Sequence, residues 1–201
     1  MTKRLFCCLM VLLMVMSLVG CHHSGSSVDT GNKSVIYEAD WPHYSTVAEL
    51  VNKGDGVFEG EIVGIHFEVI NYQTGKIAQS ADEDNLALHT VYEIETSNIL
   101  KGEAGERKFI KVMGGIVGYQ EDAQKAALEK LGLWEDGMQI PVMVESEPLE
   151  VGVKYLFVTS NSAGDYLNVV NFDQYAFIAE SGGEASDDSR PTYAGIKAYF
   201  E

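Results

Sequence analysis

The chain has 201 residues, 46% of them hydrophobic, which is enough for one domain with a buried core and accessory segments. Thirty acidic residues stand against fourteen basic ones and give a formal net charge of −16. Because so acidic a surface repels phosphate backbones, we expect no nucleic-acid partner.

The first twenty residues have the composition of a secretory leader. Lys3 and Arg4 form a positively charged start, and an apolar run over residues 5–16 follows. The run is shorter than the ~20 apolar residues that a membrane-spanning helix needs. We therefore predict a signal peptide over residues 1–20, with an uncleaved anchor helix as the alternative.

The end of this leader reads Leu18, Val19, Gly20, Cys21, which resembles the lipobox of bacterial lipoproteins. In that family the cysteine thiol receives a diacylglyceryl group, and a signal peptidase cuts just before it. The resemblance implies cleavage between Gly20 and Cys21 and lipidation of Cys21. It also implies a lipid anchor on the extracytoplasmic face of the cell membrane, where two acyl chains give stable attachment.

The three cysteines are Cys7, Cys8 and Cys21, so the mature domain would have no thiol left. We therefore predict no disulfide, no cysteine metal site and no cofactor. Loss of Lys3 and Arg4 would leave twelve bases against thirty acids, a formal charge of −18.

The mature chain divides into three predicted parts. Residues 21–34 are polar and rich in Gly and Ser, which predicts a flexible tether. Residues 35–180 carry the periodic apolar pattern of a folded domain, and residues 181–201 predict an acidic, partly disordered tail.

The domain opens with a short predicted helix. Thr46 and Glu49 have the spacing of a capping box, and Gly54 ends the pattern. Ser45 is predicted to take part in the helix start rather than to act with Tyr44 and His43 in hydrolysis.

Residues 57–67 predict the first strand, with Glu59 and Glu61 on a face exposed to water. Gly60 and Gly64 within this strand indicate a bulge or a strong bend. A polar hairpin loop over residues 72–85 and two further strands, residues 89–100 and 108–113, follow.

Residues 121–131 predict a helix that presents Ala123, Ala127 and Leu131 to the core and ends at Gly132. Strands are then predicted over residues 154–159, 166–170 and 174–179. The first of them is apolar on both faces, which is typical of a central strand.

This order predicts a mainly β fold, an OB-like antiparallel barrel of five to six strands. A helix lies between its third and fourth strands, and a short helix precedes it. An antiparallel β-sandwich is the alternative.

Three phrases carry a further resemblance: VFEGEIVGI, HTVYEIETSNILKGE and PLEVGVKYLFV. They resemble a set of bacterial surface and lipoprotein domains, similar in turn to the netrin-like OB module of the tissue inhibitors of metalloproteinases. The resemblance implies a fold. It does not carry over the inhibitory mechanism, which uses a free amino-terminal cysteine, because Cys21 is here the lipid site.

Histidines and acidic residues offer only incomplete metal sites. His22 and His23 lie on the tether, and His43, His66 and His89 are scattered and predicted to be partly exposed. Two acidic segments could resemble calcium loops, but we predict that both are solvated: Asp82, Glu83, Asp84 and Asn85, then Asp187 and Asp188. The sequence predicts no metal site.

Motifs of catalysis are missing. The glycine run at residues 114–118 has no lysine followed by Ser or Thr, and neither G-x-S-x-G nor H-E-x-x-H occurs. Glu93 and Glu95, the carboxylates of a possible hydrolase, fall on the solvent face of one strand. We therefore predict that the protein is not an enzyme.

Four aromatic residues fall in predicted loops or element ends and are candidate binding contacts: Trp41, Tyr44, Tyr119 and Trp134. We expect a membrane-anchored, surface-displayed module that binds an envelope or extracellular protein or glycan. The alternative is an inhibitor or accessory subunit of an extracellular protease.

Overall fold

In a computed structural model, the described residues are 41–103, 105–142, 148–161, 166–179 and 190–201. The helices are α1 (Val47–Lys53), α2 (Glu121–Glu129) and α3 (Tyr193–Tyr199). The strands are β1 (Gly56–Asn71), β2 (Lys76–Ile77), β3 (Leu86–Lys101), β4 (Arg107–Met113), β5 (Lys154–Ser160), β6 (Leu167–Val169) and β7 (Ala176–Ile178). Within these ranges no helix is both long and apolar enough to span a membrane.

Several predictions concern residues outside these ranges. These predictions are the signal peptide, its cleavage after Gly20 and the lipidation of Cys21. Six further candidate residues also lie outside: Leu18, Val19, His22, His23, Asp187 and Asp188.

The strands form one mixed seven-stranded sheet in the order β2-β1-β3-β4-β6-β5-β7. Because β1 also pairs with β5, the strands β1-β3-β4-β6-β5 close into a ring. The mainly β prediction is confirmed, as is the helix between the third and fourth ring strands. Two separate sheets, as a sandwich requires, do not occur among the described strands.

The prediction of an entirely antiparallel barrel is wrong at one pair, since β4 and β6 run parallel. The chain leaves β4, passes through α2 and returns in β5, which is antiparallel to β1 and to β6. Because β6 is antiparallel to β5, it runs in the same direction as β4. Parallel neighbours need such a long connection.

Strand β1 is bent, as its glycines predicted. Its register with β3 shifts between Glu59 and Gly60 and again between Ile62 and Gly64. A Cβ on Gly60 would lie 2.5 Å from a methyl group of Ile94, so no larger residue fits without movement. The irregular register allows a 16-residue strand to pair along its length with β3 and at its start with β5.

The core of the ring is made of large apolar side chains: Phe58, Ile62, Tyr92, Ile94, Ile110, Tyr155, Phe157 and Val169. Strand β5 is covered on both faces, as predicted. Tyr155 and Phe157 belong to this core, while Leu156 and Val158 pack with Leu50 of α1 and Ile196 of α3.

Helix α3 lies within residues 181–201, which were predicted to be an acidic, partly disordered tail. Ile196 is fully buried, and Thr192 caps the helix by accepting a hydrogen bond from the Gly195 amide at 3.1 Å. With seven residues the helix is too short to be recognised from periodicity alone. Its burial places the helix within the packing of the domain.

Helix α2 forms where predicted, and Gly132 follows it with a φ of +70°. The predicted stripe is correct in part: Ala127 and Leu131 pack against an apolar cluster, whereas Ala123 is exposed. The fully buried residues of the helix are Gln124 and Leu128. Gln124 binds the backbone of Ile116 at both polar atoms, at 2.9 Å to its N–H and 2.7 Å to its carbonyl. A glutamine that satisfies a buried loop in this way can replace an apolar residue in the stripe.

Candidate functional site

A row of polar side chains crosses the ring, and we call it the polar row. It consists of Glu68, His89, Lys111, Asn168 and Ser160. Glu68 of β1 pairs with His89 of β3. Val91, which lies on the same face of β3 as His89, pairs with Lys111 of β4. Asn168 of β6 pairs with Lys111 and with Ser160 of β5. Because neighbouring positions in a strand alternate in direction, Lys111 lies on the face opposite the core residue Ile110.

Four members of the polar row line a cavity of about 410 Å³; they are His89, Lys111, Asn168 and Ser160. Trp41, Tyr44, Tyr72 and Phe172 provide aromatic walls, and Pro42, Lys53, Met113, Val169 and Val170 complete the lining. The rings of Trp41 and Phe172 meet edge to face at 4.8 Å. The volume falls in the range of small-molecule sites, about 300–1,000 Å³.

Lys111 is the most unusual residue of the cavity. It is only 5% exposed, yet its ammonium forms no hydrogen bond or ion pair with any residue of the described ranges. Burial lowers the pKa of Lys111, because the charged form loses its hydration. Lysine is almost never buried without a partner, so this position needs an explanation beyond packing.

His89 lies beside it and is 3% exposed, which corrects the prediction of a partly exposed histidine. Its Nδ1 lies 2.9 Å from the Ala87 carbonyl, and since a carbonyl only accepts, Nδ1 carries the proton. Burial, helped by the nearby Lys111 charge, lowers the pKa of His89 to about 4. His89 is therefore neutral at pH 7, and its Nε2 lone pair has no donor within the described part of the chain.

Tyr44 contributes a third polar group without a partner. Its hydroxyl is buried and makes no hydrogen bond in the described structure. The backbone around it is fixed, because the Tyr44 amide donates to Gln174 at 2.8 Å and the Tyr44 carbonyl accepts from Gln174 at 2.7 Å. Asn171 similarly donates to the Pro42 carbonyl at 2.9 Å. The aromatic segment that closes the cavity is thus held in place.

Glu68 ends the polar row, and its carboxylate is already occupied. His66 lies 3.5 Å away, and the Tyr166 hydroxyl donates to it. The His66 hydrogen bond is the largest cause that lowers the pKa of Glu68, and the one from Tyr166 adds to it against the opposing effect of burial. Glu68 and Lys111 form no ion pair.

The four candidate aromatic residues separate into two pairs. Trp41 and Tyr44 line the cavity, whereas Tyr119 and Trp134 pack against the apolar cluster beneath α2. Of the other histidines, His43 is exposed and His66 is bound to Glu68.

The acidic loop is organised by its own side chains. Glu83 accepts the amides of Gln79 at 2.6 Å and Ser80 at 3.1 Å, and Asn85 accepts the Tyr72 hydroxyl at 2.9 Å. Across the described residues, no group of three His, Asp or Glu side chains is placed to hold a metal ion.

The remaining candidates have structural partners. Thr46 caps α1 in the predicted capping box, and the Ser45 amide donates to Glu49 at 3.0 Å. Glu93 pairs with Arg107 at 2.6 Å, and Glu95 is exposed on the same strand.

No sequence pattern pointed to Lys111, Asn168 or Ser160 as residues of a site. The available indication was a lysine between apolar residues in β4, RKFIKVM, where a solvent-facing position is the ordinary interpretation. Lys111 is buried because of how β4 pairs with its neighbouring strands, and the sequence does not reveal that pairing.

No protein-family model matches the chain, and no curated protein matches it significantly.

Proposed function

We propose that this protein is a lipid-anchored, extracytoplasmic module that binds a ligand and catalyses no reaction. The observation that carries this proposal is the cavity, where the Lys111 ammonium, the His89 Nε2 and the Tyr44 hydroxyl have no partner among the described residues. A buried polar group without a hydrogen bond costs about 1–3 kcal/mol. The Tyr44 hydroxyl is such a group, and the Lys111 ammonium and the His89 Nε2 face the same aromatic-walled space without a partner, as expected of a binding site before its ligand arrives.

As part of the same proposal, we assign the ring of strands to an OB-like fold related to the netrin-like modules. The ring order, the parallel pair β4–β6 and the position of α2 fit the OB plan. OB folds bind ligands on the face of their second and third strands. In this chain those strands are β3 and β4, which carry His89 and Lys111.

Binding is favoured over catalysis by the state of His89. A hydrolase needs a nucleophile within hydrogen-bond reach of a base. In the described structure Nε2 of His89 has no hydroxyl partner, and His89 is held neutral with a pKa of about 4.

The anchor is tested by metabolic labelling with an alkyne fatty acid. We expect the parent protein to be labelled and Cys21→Ser to lose the label, because Cys21 is the proposed acylation site. Cys8→Ser is the matched control and should keep the label. Equal labelling of Cys21→Ser and the parent would refute the anchor.

The binding role is tested by retention of envelope components on the immobilised full-length protein. We expect a glycan or protein to be retained by the parent and lost with Lys111→Met. Retention that is independent of Lys111 would contradict a role for the cavity. Recovery of a protease, released by the same variant, would instead favour the inhibitor or accessory-subunit role.

A further inference from the structure

We propose that the cavity binds a ring-shaped ligand that carries one anionic group, and that Lys111 pairs with that group. This inference rests on the proposed binding function and adds the chemical class of the ligand to it.

The first step is the missing counter-charge of Lys111. Lys111 is only 5% exposed, and burial removes part of the hydration of its ammonium, so a partner of opposite charge would stabilise it. The carboxylate nearest to it in the polar row is Glu68, which His66 and Tyr166 already hold. Among the described residues no other carboxylate pairs with Lys111, and we infer that the negative charge comes with the ligand.

The second step is the hydrogen-bonding capacity of the other two groups. The His89 Nε2 lone pair accepts, because Nδ1 carries the proton and donates to Ala87. The Tyr44 hydroxyl can both donate and accept. A matching ligand thus has, besides its anionic group, an N–H or O–H donor for His89.

The third step concerns the walls. Trp41, Tyr72 and Phe172 line the cavity, and Trp41 and Tyr72 are still exposed in the free protein. Aromatic side chains of this kind offer a large apolar surface to the flat face of a ring. Both an aromatic acid and an acidic sugar have such a face next to a carboxylate.

The fourth step limits the ligand to a single charge. The chain is strongly acidic, and a polyanion would be repelled by the surrounding surface. Lys53, which is exposed, also lines the cavity and offsets part of this repulsion. Since repulsion beyond about 8–10 Å is screened at physiological salt, a small monoanion can still enter.

The experiment is calorimetric titration of the full-length protein in detergent with two matched pairs of probes. Indole-3-acetate is compared with indole-3-acetamide, and galacturonate with galactose; each pair differs in the anionic group. Titrations into protein-free micelles correct for partitioning. Lys111→Met removes the charge, Lys111→Gln removes it while keeping a polar group, and Lys154→Met is the control. Lys154 is exposed at the start of β5, whereas the cavity residue Ser160 ends that strand.

We expect at least one acid to bind about tenfold more tightly than its uncharged partner, which corresponds to about 1.4 kcal/mol. Both Lys111 variants should reduce that acid to the affinity of the uncharged probe, and Lys154→Met should change nothing. The probe pair in which the acid binds more tightly shows whether the ligand is an aromatic acid or an acidic sugar.

Two results would overturn the inference. Equal affinity for acid and uncharged probe would refute the anionic class while leaving the binding function intact. Absence of binding by all four probes would also refute it. The proposed function fails separately, if retention of envelope components does not depend on Lys111.

Discussion

Two buried polar regions of this protein differ in how completely their groups are paired. Around Glu59, which is 7% exposed, the carboxylate accepts from Asn98 at 3.1 Å, from Lys197 at 3.2 Å and from the Tyr193 hydroxyl. We call this the Glu59 cluster. In the cavity, Lys111 and His89 are at least as buried and keep groups without partners.

The Glu59 cluster joins the end of the chain to the sheet. Burial alone would raise the pKa of Glu59, but hydrogen bonds from Tyr193, Asn98 and Lys197 outweigh it, so the pKa lies below its ordinary value. Glu59 was predicted to face water, and the packing of α3 is what buries it. A polar group that is buried and fully paired holds two elements together.

The cavity shows the opposite arrangement. Polar groups left unpaired in a fold reduce its stability, and proteins retain them where binding requires it. We therefore expect changes in the Glu59 cluster to lower stability and changes at Lys111 to leave it unaffected.

The largest losses of stability are expected in the apolar core. Phe157→Ala should lower the free energy of unfolding by about 3–5 kcal/mol, and Leu156→Ala by about 2–5 kcal/mol, because both faces of β5 are covered. Val63→Ala is a control at a partly exposed position of β1 and should stay within about 0.5 kcal/mol. Urea unfolding of the full-length variants measures all three. A cost below that of the control at either β5 position would place that face of the strand in water.

The second prediction concerns pH. The folded pKa of His89 is about 4, below the ordinary 6.5, so the unfolded chain binds the proton more readily between these values. The stability that His89 contributes is thus present above pH 6.5 and is lost as pH falls toward 4, by about 3 kcal/mol.

Other acidic groups also titrate in this window, so the parent is compared with His89→Asn. Urea unfolding at pH 7 and pH 4.5 should show a smaller loss for His89→Asn than for the parent. His43→Asn, at an exposed site, should behave like the parent. Equal losses for the parent and His89→Asn would mean that His89 is not held neutral.

The third prediction breaks the Glu59 cluster. Glu59→Ala should cost about 1–3 kcal/mol, because Asn98 and Tyr193 lose their acceptor. Glu61→Ala, two residues along the same strand and exposed, is the matched control. Limited proteolysis should also release the carboxyl-terminal peptide sooner from Glu59→Ala. Identical digestion of the two variants would refute the role of Glu59 in holding α3.

Local sequence features predicted much of the fold. The capping box at Thr46, the bulge glycine Gly60, the position of α2 and the doubly covered strand β5 all depend on residues close together in the chain. Such features act through local geometry and alternation, which a single sequence displays.

The cavity could not be predicted in the same way. His89 and Lys111 come together only through the pairing of β3 with β4, and a single sequence shows neither which strands pair nor in which register. Trp41 and Tyr44 were recognised as loop aromatics, but Gln174, which fixes Tyr44, is 130 residues away. Burial of Glu59 likewise depends on α3, from the other end of the chain.

The most direct test of the central claim is the stability of Lys111→Met. Methionine is similar in length and needs no hydrogen bond, so it should fill the same space without an uncompensated charge. In urea unfolding at pH 7, the free energy of unfolding of Lys111→Met should be no more than about 0.5 kcal/mol below that of the parent, or higher than it. A loss greater than about 1 kcal/mol would show that Lys111 already has a stabilising partner in the free protein, since that is the size of a typical hydrogen bond. Its role as an unpaired group awaiting a ligand would then be wrong.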